Sequence, residues 1–98
     1  MTIIFHRLVR SDLRLTLEYY DARSNTAGDR LYEAFADAVA RIKQSPYRCH
    51  PIDAKRRRCK IRGFPYHLVF EIEDEMIFIT VMRHDRRSPS YGLRRRRN

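Results

Sequence analysis

The 98-residue sequence lacks any long hydrophobic run. Met1 to Phe5 is apolar for too few residues to act as a signal peptide, and the longest later apolar run, Met76 to Met82, is far too short to span a bilayer. Those absences exclude a secretory leader and a membrane anchor as expectations, and place the protein in the cytoplasm with no membrane partner. Cysteine is scarce. Cys49 and Cys59 stand ten positions apart with no CxxC or histidine spacing around them, which supports neither a zinc site nor a disulfide framework. Two reduced, structural thiols are expected, with no metal and no cofactor. There is no internal repeat, and the only low-complexity piece is Arg94 to Arg97. The chain is also too short to hold an embedded cofactor-binding lobe.

Acidic residues are the other shortage, and they are short in one half only. Residues 1–47 carry seven Lys/Arg against six Asp/Glu, whereas residues 48–98 carry fourteen against six, so nearly all of the formal +9 lies in the second half. Without Arg94 to Arg97, 17 basic residues still face 12 acidic ones, a net +5. The basic character therefore belongs to the folded body and points to an anionic partner met by one end of the molecule. A hydrophobic content of 43% excludes a wholly disordered chain, and 34% charged residues suit a solvated exterior around a modest core. The expected organisation is one domain over residues 1–93 and a basic, mobile tail over 94–98.

Thr2 to His6, rich in isoleucine and phenylalanine, suits an opening strand. Arg7 to Arg23 can be read two ways: Asp12 to Tyr19 alternates as a strand would, yet Val9, Leu13, Leu17 and Tyr20 fall on one helical stripe. Leu, Arg and Glu favour the helix, and β-branched residues are nearly absent, so a helix is expected. After a turn at Ser24-Asn25, Thr26 is placed to cap a second helix with Asp29 near its positive end. Leu31, Phe35, Ala38, Val39 and Ile42 form that helix's apolar face, and Ser45-Pro46 stops it. The short link makes the pair an antiparallel hairpin. An irregular stretch to Ala54 precedes three strands. Arg58 to Arg62 alternates cations with Cys59 and Ile61. Tyr66 to Ile72 turns Tyr66, Leu68, Phe70 and Ile72 inward and His67 and Glu71 outward, and Met76 to Met82 follows an acidic corner. The expected fold is α+β, in the order strand, antiparallel helix hairpin, three-stranded antiparallel sheet. The helices cover one face, and the other stays open for Arg58, Lys60, Arg62 and His67.

Gly63-Phe64-Pro65-Tyr66-His67-Leu68-Val69-Phe70, an acidic turn, an apolar strand and then His84-Asp85-Arg86-Arg87-Ser88-Pro89-Ser90-Tyr91 resemble the RelE/ParE superfamily of bacterial toxins from type II toxin–antitoxin modules, the plasmid stabilisation proteins. The resemblance covers essentially the whole chain, including Ser11-Asp12-Leu13 and Tyr19-Tyr20 in the helix hairpin. It implies a compact toxin silenced by a cognate antitoxin, and contact with operator DNA only through the toxin–antitoxin complex. It leaves two targets open, because the superfamily contains both toxins that cleave messenger RNA in the ribosome and toxins that poison DNA gyrase.

Metal-free RNA scission needs a base for the 2′-hydroxyl, charge to stabilise the crowded phosphate and an acid for the leaving oxygen. In the nuclease reading the resemblance assigns catalysis to Lys60, His67, Arg87 and Tyr91. His67 stands where cleaving members carry an arginine; with an ordinary pKa of about 6.5 it can move a proton but is a weaker phosphate clamp. In the gyrase reading, which two helices of roughly fifteen to twenty residues favour, Arg58, Arg62, His84 and Arg86 contact the target and the toxin breaks no bond. A small basic module that holds nucleic acid without chemistry is a third reading. Each residue also has a plainer role: a solvated cationic strand face, a His67–Glu71 surface pair worth about 0–1 kcal/mol, a half-buried His84, a Tyr91 packed at the sheet edge.

Overall fold

Val9, Leu13, Leu17 and Tyr20 recur at helical spacing, and in the computed structural model, which describes residues 1–95, they lie on one side of helix α1, Arg7–Asp21. Val9 is buried, and the other three pack against the same core. His6 starts the helix: its Nδ1 accepts the backbone N–H of Leu8 at 3.0 Å. A nitrogen that accepts carries no proton, and burial, with Arg95 and Arg7 adding to it, lowers the His6 pKa below the ordinary imidazole value.

Helix α2 spans Ala27–Gln44 and buries Leu31, Ala38 and Ile42, with Phe35 and Val39 packed beside them. Thr26 holds the capping position, but its hydroxyl makes no capping bond. Ser24 does that job, its Oγ accepting from the N–H groups of Thr26 and Ala27, both at 3.3 Å. At the other end, Arg41 and Lys43 complement the helix's negative pole.

The sheet corrects the sequence expectation. It has five strands in the order β1-β5-β4-β3-β2 and is mixed, not three-stranded and antiparallel. Strands β3 (Arg56–Ile61), β4 (Tyr66–Glu73) and β5 (Met76–His84) are the expected antiparallel set. The opening strand β1, Thr2–Phe5, adds to β5 in parallel, Thr2 opposite Met76 and Phe5 opposite Ile79. Strand β2, His50–Pro51, pairs with Arg58 and Arg57 at the opposite edge. Two residues are too few to leave an alternation in the sequence, and Pro51, which has no N–H, fits only at such an edge.

A bulge resets the phase of β5. Val69 pairs with Val81 but Phe70 pairs with Ile79, leaving Thr80 as the extra residue. Ile77 and Ile79 before the bulge and Met82 after it therefore all join the core beneath the helices, together with Leu68 and Phe70. Val69 and Val81, each 0% exposed, belong to the other face.

That other face is open along its β3 edge, where Arg58, Lys60 and Arg62 are exposed, but not over β4 and β5. The segment after β5 folds back over it and is held by arginines. Arg83 Nη1 donates to the carbonyls of Pro89 (2.8 Å) and Tyr91 (2.9 Å), and Arg56 Nη2 donates to that of Leu93 (3.1 Å). Gly92 has φ +78°, and a Cβ there would stand 2.5 Å from Val81 Cγ2, so only glycine lets the backbone lie this close to β5. Arg95 forks onto Asp12 of α1, Nη1 to Oδ2 at 2.6 Å and Nη2 to Oδ1 at 3.0 Å, and Nη1 also donates to Thr80 O. Of the expected tail, Arg94 is exposed and Arg95 is tied to the body; Arg96, Arg97 and Asn98 lie outside the described residues.

Candidate functional site

Strand β2 covers only Arg57 and Arg58 of β3. Where it stops, an open groove of about 700 Å³ runs between the C-terminal end of α2 and the Lys60 end of β3. Its cations come from three places in the chain: Arg41 on α2, Arg48 in the 3-10 turn Pro46–Arg48, and Arg58, Lys60 and Arg62 on and just after β3. His67 and Asp85 close its far side, with Asp85 the one carboxylate among the described residues of the groove wall.

Arg41 builds the near wall. Its Nε pairs with Asp37 at 3.0 Å, while Nη2 donates to the Lys60 carbonyl at 2.6 Å and Nη1 to Cys59 Sγ at 3.2 Å. One guanidinium thus docks the end of α2 on β3 and satisfies an edge carbonyl that would otherwise need water. On the far wall, Lys60 Nζ donates to both Asp85 and the carbonyl of Phe64.

His67 is buried at 3% exposure and points into a polar chain, which corrects its expected place on an open face. Arg83 Nε donates to His67 Nε2 at 3.0 Å, and His67 Nδ1 lies 2.9 Å from Asp85 Oδ1. Arginine Nε can only donate, so Nε2 accepts and the imidazole proton sits on Nδ1, donated to Asp85. Burial pushes the His67 pKa below the ordinary imidazole value, against the pull of Asp85, and Arg83 adds to the lowering. Burial works against the Asp85 carboxylate, but bonds from Lys60 and His67 more than offset it and hold its pKa below the usual carboxylate value. Both ring nitrogens of neutral His67 are occupied. The supposed His67–Glu71 surface pair does not form either: Glu71, also buried, faces Arg56 (3.6 Å) and Lys55 (3.8 Å).

The residues expected to act together divide. Arg58, Lys60, Arg62 and His67 line the groove; His84, Arg86, Arg87 and Tyr91 do not. His84 stacks edge-on against Tyr66 at 5.1 Å and accepts the Arg86 backbone N–H at 3.0 Å. The Arg87 guanidinium lies over the Tyr91 ring at 4.0 Å. Arg41, Arg48, Arg83 and Asp85 were missed as site residues. Arg83 has a faint signal, a charge ending an apolar strand; Arg41 and Arg48, in the last turns of a helix and a 3-10 turn, have none in the sequence.

Residues 3–88 match the family model described as the ParE toxin of the type II toxin–antitoxin system, parDE. The chain belongs to the ParE toxin family. Toxin ParE2 of Mycobacterium tuberculosis, from strains CDC 1551 / Oshkosh and ATCC 25618 / H37Rv, is 35% identical to it over 86 residues, covering 87% of this chain and 82% of each relative. A ParE-family toxin has a cognate antitoxin as its partner. The cationic groove, the helix hairpin and the strapped second sheet face are thus the surfaces of a ParE-type toxin. Among its described residues no helix is long and apolar enough to cross a membrane.

Proposed function

We propose that this ParE-type toxin arrests growth in the cytoplasm by poisoning DNA gyrase, cutting no nucleic acid itself, and that its antitoxin silences it until the pair separates. One observation carries the choice of target: the four side chains that RNA cleavage would need are not gathered. Lys60 and His67 border the groove, while Arg87 and Tyr91 stack on each other away from it. His67 has both nitrogens bonded and burial favours its neutral form, so it is a poor proton shuttle. In this reading Arg58, Lys60 and Arg62 recognise the target by charge, and His84 and Arg86 act from beside the last strand. The acidic segment of the antitoxin covers part of the same cations, where it gains most. Operator DNA is met only through the toxin–antitoxin complex.

The test adds purified toxin to a gyrase supercoiling reaction and to translating ribosomes. Loss of supercoiling with intact message is the expected outcome. Cut message with unaffected gyrase would transfer the protein to ribosome-dependent messenger cleavage. Retention of DNA with neither effect would make it a binding module.

A further inference from the structure

The two cysteines, unpaired by any sequence spacing, meet across strands. The β2–β3 register sets His50 opposite Arg58 and Pro51 opposite Arg57, and one step further brings Cys49 opposite Cys59. Ile52 N–H donates to Arg56 O at 2.8 Å, which makes that pair a hydrogen-bonded one. Alternation along an antiparallel ladder then makes Cys49 and Cys59 a non-hydrogen-bonded pair. The backbone agrees: Cys49 is extended, its N–H goes to Pro46 O at 3.2 Å, and its carbonyl accepts from Arg57 Nη1 at 2.8 Å, so neither group is used on Cys59. Non-hydrogen-bonded partners have Cα atoms about 4.5 Å apart, at the short end of the disulfide range of about 4.4–6.8 Å. Both side chains pack against the core on the helix-covered side of the sheet, and both thiols are free.

We propose that Cys49 and Cys59 form a dithiol site that a hydroperoxide oxidises to an intramolecular disulfide beneath the cationic groove. The roles follow from exposure. Cys59 is 3% exposed and Cys49 is half-buried, so Cys49 meets the oxidant. Its thiolate attacks the terminal oxygen of the hydroperoxide; the O–O bond breaks, leaving a sulfenic acid on Cys49 and an alcohol, or water from hydrogen peroxide. The Cys59 sulfur then displaces the sulfenic hydroxyl, the S–S bond forms, and hydroxide leaves as water with the proton from Cys59. Two thiols lose two electrons and one hydroperoxide gains them. Burial, reinforced by Cys49, raises the Cys59 pKa to about 11, so the second step accelerates at higher pH. Exchange with an external dithiol returns the disulfide to two thiols, as suits a reversible mark. It ties the backbone next to Arg48 to the strand between Arg58 and Lys60, joining two walls of the groove whichever target the toxin has.

The reduced full-length protein is treated with hydrogen peroxide, remaining thiols are alkylated, and tryptic peptides are mapped. The expected result is a monomer with no free thiol, one cross-linked peptide pair joining Cys49 to Cys59, unchanged circular dichroism, and recovery of both thiols with dithiothreitol. Cys49→Ser and Cys59→Ser should fold, and each should leave its lone cysteine without an intramolecular partner. Separate over-oxidation of the two thiols, disulfides only between molecules, or cross-linking only with loss of the folded spectrum would each overturn the proposal.

Discussion

Asp12→Ala tests whether the chain end is part of the fold. Where β1 ends, the edge of β5 continues uncovered, and the Asp12 carboxylate serves it: Oδ2 accepts Met82 N–H at 3.1 Å, and both oxygens hold the Arg95 fork. The side chains of Arg95 and Asp12 are only 12% and 10% exposed. Breaking a buried ion pair from one side costs about 3–5 kcal/mol, and orphaning a buried N–H costs about 1–3 kcal/mol. Two features reduce the sum: Thr80 O still accepts from Arg95, and an arginine at position 95 of 98 can swing into water at the expense of the tail's docking. The expected loss is about 2–3 kcal/mol, which for a domain of this size lowers Tm by roughly 8–24 °C. Thermal and urea unfolding of Asp12→Ala, of a chain ending at Arg94, and of the combination complete the cycle. The truncation should cost little once Asp12 is gone. A Tm for Asp12→Ala within about 2 °C of wild type, or fully additive losses, would refute the docked end.

Gly92→Ala forces a side chain into a left-handed conformation against Val81; a loss of about 1–3 kcal/mol in urea unfolding is expected, with Val81→Ala restoring only the part due to collision. Because the folded His67 pKa is lowered, the unfolded chain binds that proton more tightly, so stability falls as pH drops from about 6.5 towards the folded value and levels below it. Melts between pH 8 and 5 should show this slope, in part shared with His6, and His67→Gln should flatten it; an unchanged slope would mean that His67 is not neutral in the fold. Lys60→Ala and Arg58→Ala should weaken growth arrest in cells without antitoxin by about tenfold or more, the scale of 1.4 kcal/mol of recognition, whereas exposed Arg94→Ala should not. Equal toxicity of all three variants would remove the groove from the target surface. Asp85 has a lowered pKa, so its contribution is present above the ordinary carboxylate value and fades as pH falls through the folded one; Asp85→Asn should reduce the acid-limb loss in a melt series, leaving the part due to Asp53, whose pKa is also lowered.

Sequence patterning made the helices legible because each carries its own evidence: an apolar face at 3.6-residue spacing needs no partner to be recognised. The three later strands were legible for the same reason, through alternation and turn residues. The parallel pairing of β1 with β5 was not, since its partner lies some seventy residues away and a four-residue apolar run fits either edge. Alternation also misled at His67 and Glu71. Period two says that they share a face, and they do, but it cannot say that the chain end returns to cover that face.

The sequence by itself determined the α+β order, the helix hairpin, the concentration of positive charge in the second half, and a resemblance specific enough to point to a toxin. All of these are local or additive properties of the chain, readable residue by residue. Tertiary structure alone decided which cations share a groove, that His67 is a buried neutral link between Arg83 and Asp85, and that two cysteines without a motif stand opposite each other. Such outcomes depend on register, on a bulge at Thr80 and on the returning C-terminal segment, each fixed by contacts between residues far apart in the chain.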